Sequence, residues 1–226
     1  MADERTHGVI LRTRPLTETS LLVNWLTADW GRMTTVAKGA RRPKSAFRGK
    51  LDLFHEAEFS FARSRRSDLH TLREVSLLRT HSNLRKDLDR LEQAAYFGAF
   101  IEQTTETETP IPEFHALLRE ALQEIQEQPL SVLPIVAFEL KGLEILGLNP
   151  DWKQTRLTDE TKHLATTLQN GDWSELVHLP RIPAREKELR QFLNGFLVQH
   201  LDRVPYGRAR ALEFDDSALG SPKEPG

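Results

Sequence analysis

The chain contains no cysteine. Disulfides, thiolate zinc sites and iron–sulfur clusters are therefore excluded, and the absence fits a reducing compartment. Long apolar runs are missing too. The most apolar segment, Val132 to Leu148, is interrupted by Glu139, Lys141 and Glu144, and no run approaches the ~18 residues of a membrane span. The opening residues, MADERTHGVI, hold no apolar stretch of signal-peptide length. A soluble cytoplasmic protein without a membrane partner is expected. Catalytic signatures are equally scarce. The histidines, His7, His55, His70, His81, His115, His163, His178 and His200, are scattered without H-E-x-x-H or another metal spacing. His200 falls on the apolar side of a helix and reads as a core or boundary residue. No G-x-S-x-G nucleophile elbow occurs. Glu56 and Glu58 share a strand face and read as two solvated glutamates. Neither enzyme activity, cofactor nor metal is expected.

Acidic residues are also absent from one long stretch. Gly31 to Lys50, GRMTTVAKGARRPKSAFRGK, carries seven basic residues, Arg32, Lys38, Arg41, Arg42, Lys44, Arg48 and Lys50, and no acid. Gly39, Pro43 and Gly49 punctuate it, so its basic middle reads as loop. A loop that cannot neutralise itself suits a chain of phosphates, because each phosphate met by Lys or Arg releases condensed counterions. A solvated loop without a partner is the bland alternative. Gly39 to Ser45 half-matches the P-loop pattern, but Pro43 stands where glycine is needed and has no N–H to offer phosphate. Nucleotide hydrolysis is not expected there.

The formal net charge of -2 conceals an asymmetry. Residues 1–80 carry 15 Lys/Arg against 9 Asp/Glu, a net of +6, and the remainder carries 16 against 24, a net of -8. A polyanion would meet the basic front.

The first 80 residues read as strands: His7 to Arg12, Thr19 to Thr27, Arg32 to Lys38, Leu53 to Ala62 and Leu69 to Leu78. Leu21, Val23 and Trp25 alternate onto one face, as do Ala57, Phe59 and Phe61. In the last strand Leu69, Thr71, Arg73, Val75 and Leu77 are expected to share a face. Five short strands in so few residues predict a closed OB-type barrel, since closure removes exposed edges. A small open sheet is the alternative. After Thr80 the period becomes helical. Leu84, Leu88, Leu91 and Ala95 mark one helix. Phe114, Leu117, Leu118, Ala121, Leu122 and Ile125 mark a second after Pro112. Val132 to Leu148 reads as the buried central helix. Thr158 to Gln169 forms a weaker one ending at Gly171, and Leu189 to His200 a last long one from near Pro183. The domains expected are thus an OB-fold over 1–80, an all-α domain over 81–214 and a disordered tail over 215–226, an α+β multidomain class.

Two further basic clusters flank the barrel: Arg12 and Arg14 at the end of the first strand, and Arg63, Arg65 and Arg66 between the fourth and fifth. In an OB-fold these loops border the nucleic-acid face, so all three clusters are expected to converge there. Trp30, Phe47 and Phe54 are candidate stacking platforms for single strands.

The chain resembles the RecO family of bacterial DNA repair and recombination mediators. The resembling residues are Gly8-Val-Ile-Leu-Arg12-Thr-Arg14 with Glu18-Thr-Ser20, then Gly31-Arg32, Val36-Ala37-Lys38-Gly39-Ala40-Arg41 with Lys44-Ser45, and Leu51-Asp-Leu-Phe54. Thr71-Leu72-Arg73-Glu74, Glu139-Leu140 to Leu146-Gly147-Leu148, and the closing Arg208-Ala-Arg210-Ala-Leu212 follow. The resemblance implies an N-terminal OB domain and a helical C-terminal domain. It implies binding of single- and double-stranded DNA, annealing of complementary strands, and work with RecR, the single-strand-binding protein SSB and, indirectly, RecA. Many relatives carry a four-cysteine zinc site after the segment that here reads Leu146 to Trp152. This chain has no cysteine to supply it. The region between Leu148 and Thr158 is expected to be held by packing, with Trp152 taking part.

The expected function is therefore that of a non-enzymatic DNA-binding mediator. Its DNA-contacting residues are Arg12, Arg14, Lys38, Arg41, Arg42, Lys44, Arg48, Lys50, Arg63, Arg65 and Arg66. The rival is an adaptor whose basic face meets an acidic protein segment, such as an SSB tail, rather than DNA.

Overall fold

The structure, a computed structural model, describes residues 3–176 and 178–213. The tail expected from Asp215 lies outside the described residues. Five strands, β1 (Glu4–Pro15), β2 (Leu21–Thr27), β3 (Gly31–Ala37), β4 (Glu56–Ala62) and β5 (Leu69–Arg79), form a closed barrel in the order β1-β2-β3-β5-β4. β4 returns to pair with β1, from Glu4↔Phe61 to Val9↔Glu56. β3 and β5 run parallel over Thr34–Val36 and Leu69–Thr71. This is the expected OB-type architecture.

Alternation fills the barrel as the sequence predicts for β2 and β4. Val23, Trp25, Ala57, Phe59 and Phe61 join Ile10, Met33, Leu72 and Val75 inside. Trp25 stacks on Phe59 at 4.0 Å and its indole N–H donates to the Thr35 hydroxyl at 2.9 Å. The β5 expectation fails for a local reason. Leu69 is 42% exposed and Arg73 is exposed, whereas Leu72 and Val75 are buried. Ser60 pairs with Glu74, but the next residue, Phe61, pairs with Leu72. Arg73 is the extra residue of a bulge, and one inserted residue reverses which side chains face inward.

Among the described residues, a short 3-10 turn, Ser82–Lys86, leads into seven helices: α1 (Leu88–Thr104), α2 (Pro112–Glu127), α3 (Leu133–Ile145), α4 (Asp159–Asn170), α5 (Trp173–Leu176), α6 (Pro183–Leu201) and α7 (Arg208–Leu212). The buried face of α1 differs from the one expected. Leu88 is 64% exposed and Ala95 is exposed, while Ala94, Phe97, Phe100 and Ile101 are buried. Leu84 belongs to the preceding turn. Asp87 then caps α1 by accepting from the Asp89 and Arg90 amides, and the helical phase restarts there. The six predicted core residues of α2 are all buried. In α3, 10 of 13 residues are buried, which makes it the central helix. His200 is exposed near the end of α6, its ring tilted 4.1 Å from that of Phe196, rather than a core or boundary histidine. Without cysteine, the segment after α3 is held by contacts on α6. Trp152 meets Phe192 at 5.7 Å, and Glu188 accepts from the Thr158 amide at 3.1 Å and the Thr158 hydroxyl at 2.9 Å.

A second core, distinct from the barrel interior, joins barrel and helices: Val9, Leu11 and Leu26 on the outer side of the strands, with Phe54 of the β3–β4 connection, cluster with buried residues of α1, α2 and α3. The α1–α2 connection is docked on the start of β3. The Arg32 guanidinium donates to the Thr105 hydroxyl at 2.8 Å and the Thr105 carbonyl at 2.5 Å, and the Glu108 amide donates to the Arg32 carbonyl at 2.8 Å. Gly31, at φ +65°, lies so close that an added Cβ would sit 2.2 Å from the Thr109 carbonyl oxygen. Only glycine meets both demands.

Candidate nucleic-acid interface

The β3–β4 connection is a folded chain of turns. The Arg42 amide donates to Gly39 at 3.1 Å, Ser45 to Arg42 at 3.0 Å, Arg48 to Ser45 at 3.2 Å and Lys50 to Phe47 at 3.0 Å. Gly39 (φ +70°) and Gly49 (φ +72°) supply the left-handed positions that keep it turning. Ala40, Phe47 and Leu51 pack against the barrel core. With its apolar residues spent inward, the loop presents Lys38, Arg41, Arg42, Lys44 and Arg48 to solvent.

The partners of these cations divide them. Among the described residues, the side chains of Lys38, Arg42 and Lys44 have neither an acidic partner nor a hydrogen bond. Arg41 ties the loop to the β1–β2 connection: its amide donates to the Thr19 carbonyl at 3.0 Å and its guanidinium to the Thr17 carbonyl at 3.0 Å. Arg48 reaches the Pro43 carbonyl at 3.5 Å. Lys50 is half-buried and donates to the Val75 carbonyl at 2.9 Å. Arg14 is exposed near the end of β1, on the same end of the barrel, and is unpaired among the described residues. Arg12 is engaged instead with Glu102 of α1 at 2.5 Å.

The third basic cluster is placed elsewhere. The parallel pairing of Thr34 with Leu69 sets the β4–β5 loop beside the start of β3. There Arg63 lies 4.9 Å over the Trp30 ring and 3.4 Å from Glu108, which also meets His70 at 2.9 Å. Arg65 and Arg66 are exposed in the same loop. This cluster sits by the β2–β3 turn, whereas the basic loop leaves the opposite end of β3. The structure thus joins Arg14, Lys38, Arg41, Arg42, Lys44 and Arg48, and separates Arg63, Arg65 and Arg66 from them. Of the candidate stacking residues, Phe54 is buried, and Trp30 is covered by Arg63 and the edge of Phe61 at 5.5 Å. Phe47 is partly exposed.

Glu56 is not the solvated glutamate expected. It is 2% exposed and meets Arg119 of α2 at 2.6 Å and Arg79 at 3.8 Å. Its outward side of the barrel is where α2 packs, a placement that strand alternation does not reveal. The same interface holds His81 and His115. Burial, with Arg79 and His55 nearby, pushes His81 down to about 4, and burial with His7 and Arg119 nearby does the same to His115. Among the described residues no group of three or more His, Asp or Glu is gathered to hold a metal, and no helix is long and apolar enough to cross a membrane.

Comparison with known proteins agrees with this architecture. Residues 1–81 match the family model described as recombination protein O N terminal, and residues 85–158 match its recombination protein O C terminal counterpart. The chain belongs to the RecO family. The DNA repair protein RecO of Alkaliphilus metalliredigens is 27% identical over 89% of this chain and 95% of its own length. That of Syntrophus aciditrophicus is 30% identical over 66% of this chain and 58% of its own length. That of Rhodopirellula baltica is 31% identical over 63% of this chain and 53% of its own length. In this RecO-family chain the resembling residues divide by role. Gly31 and Arg32 dock the helices onto the barrel, whereas Lys38 to Ser45 form the exposed basic loop.

Proposed function

We propose that this DNA repair protein is a non-enzymatic recombination mediator that binds DNA through the β3–β4 loop. Lys38, Arg42 and Lys44 contact phosphates directly, Arg41 and Arg48 contribute while bracing the loop, and Arg14 extends the contact along the barrel end. Arg12 and Lys50 play a lesser part, being engaged within the protein. Arg63, Arg65 and Arg66 form a separate, secondary contact. Single- and double-stranded DNA both offer the phosphates required. Annealing is physical: the loop screens the repulsion between two strands, and base pairing supplies the free energy. RecR and SSB are the proposed partners, and recombinase loading on SSB-coated DNA, with RecA acting downstream, the proposed outcome. In this reading residues 1–80 are the DNA-binding unit and 81–214 the scaffold and partner surface.

The observation that supports this most is the set of exposed cations Lys38, Arg42 and Lys44, which have no partner among the described residues and stand in a folded stretch, residues 31–50, that contains no acid. A titration with single-stranded oligonucleotides at several salt concentrations tests it. If about six cations engage, log K falls against log salt with a slope of roughly -4, from ~0.7 per phosphate. Affinity is nearly independent of sequence, because phosphate contacts carry no base information. A protein that ignores oligonucleotides and binds an acidic peptide instead is the adaptor.

A further inference from the structure

Phe47 stands between two cavities. One, of about 360 Å³, lies within the β3–β4 loop; Leu21, Ala40 and Leu51 give it an apolar floor, and Arg41, Arg42 and Arg48 give it a cationic rim. The other, of about 450 Å³, lies against β4 and β5, with Lys50 and Arg73 but also Glu58 and Glu74 in its wall. Phe47 lines both. Both volumes fall within the ~300–1,000 Å³ of small-ligand sites.

Contacts with phosphate require cations but no apolar hollow. An apolar floor under a cationic rim suits a flat group with apolar faces, attached to a phosphate. An unstacked nucleobase in a nucleic-acid strand has that chemistry. Bases stack on aromatic side chains whatever their identity, because each has a π-face. Phe54 is buried, and Trp30 lies by the β2–β3 turn with Arg63 over its ring, so among the aromatic candidates partly exposed Phe47 is the one placed to serve this loop. It is also anchored: one side packs on the barrel core, and its carbonyl closes a turn with the Lys50 amide at 3.0 Å.

We infer that the loop cavity seats one unstacked base of a single strand against Phe47 while Arg41, Arg42 and Arg48 hold the flanking phosphates. The inference rests on the reading that this loop binds nucleic acid. A duplex keeps its bases paired and stacked, so it reaches the rim cations but leaves the cavity empty. The loop thereby distinguishes single strands from duplex without reading sequence.

The test uses the full chain with three labelled probes: oligodeoxythymidine, a deoxyribose-phosphate strand of equal length lacking bases, and a blunt duplex. The wild type is expected to bind oligodeoxythymidine at least about fivefold more tightly than the base-free strand. Phe47→Leu, which keeps the apolar packing on the barrel, reduces oligodeoxythymidine binding to the base-free level. It leaves duplex affinity and the salt slope unchanged. Phe47→Tyr keeps the ring and retains the preference. A wild type that does not distinguish the two single strands, or a Phe47→Leu variant that keeps the preference, overturns the base seat while leaving the phosphate contacts standing. Equal loss on single strand and duplex makes Phe47 a packing residue and also overturns it. A wild type that binds none of the probes at low salt removes the underlying reading as well.

Discussion

Arg208 of α7 and Glu139 of α3 form a bidentate ion pair in the middle of the helical region, at 2.6 and 2.9 Å, with side chains 7% and 0% exposed. Tyr96 of α1 donates to the same carboxylate at 2.5 Å, and burial with the adjacent Glu139 charge holds its phenol well above the usual range. The closing Arg208-Ala-Arg210 segment is thereby a clamp joining three helices; Arg210 likewise meets Glu92 of α1 at 2.7 Å. Removing one partner leaves a buried charge uncompensated. Arg208→Ala is expected to cost about 3–5 kcal/mol in chemical denaturation, whereas the joint change Arg208→Met, Glu139→Leu and Tyr96→Phe, which also removes the phenol donor, recovers most of that loss. A cost below about 1 kcal/mol for the single change contradicts the clamp.

Acid sensitivity is expected at the barrel–α2 interface. His81 and His115 titrate near 4 when folded and near their ordinary 6.5 when unfolded. Between these values the unfolded chain binds more protons, so stability rises with pH. Their contribution is complete above about pH 6.5 and is lost as pH falls toward about 4, where both states are protonated. The loss is roughly 2 kcal/mol per histidine, somewhat below the full shift because of partial solvent screening. Thermal melts across this range check it, and His115→Gln should flatten the dependence. A melting temperature independent of pH there contradicts the assignment.

At Gly31 the α1–α2 connection lies close against the barrel. Gly31→Ala combines a left-handed backbone with a Cβ 2.2 Å from the Thr109 oxygen. The left-handed conformation alone costs ~1–2 kcal/mol, so a total above about 2 kcal/mol is expected. The connection Thr105–Thr109 should also become the first site of limited proteolysis. A variant as stable and as resistant as the wild type places the barrel–helix joint elsewhere.

Much of this molecule is legible from local pattern. The alternation of Val23 and Trp25, and of Ala57, Phe59 and Phe61, is period-2 burial inside a barrel. The spacing from Phe114 to Ile125 is a single buried helix face. Gly39, Pro43 and Gly49 mark the basic loop. Three features are not local and escape such reading. The Arg73 bulge reverses the face of β5, and its only trace is a register that depends on β4. Asp87 restarts the phase of α1, separating Leu84 from the helix that its spacing to Leu88 and Leu91 suggests it begins. The place of Arg63, Arg65 and Arg66 depends on β5 running parallel to β3. The free and engaged cations also look alike in sequence: Arg12 and Arg42 differ only in that Glu102, 90 residues away, meets the first.

The basic loop is most directly tested through its unpartnered cations. Arg42→Ala with Lys44→Ala removes two charges that have no partner among the described residues, so thermal stability should barely change. The measurement is the salt dependence of single-stranded DNA binding by this double variant beside the wild type. If both residues meet phosphate, the slope of log K against log salt becomes shallower by about 1.4, at ~0.7 per contact. The same pair of changes at Arg65 and Arg66 should alter it less. An unaltered slope in the Arg42/Lys44 variant contradicts phosphate binding by this loop.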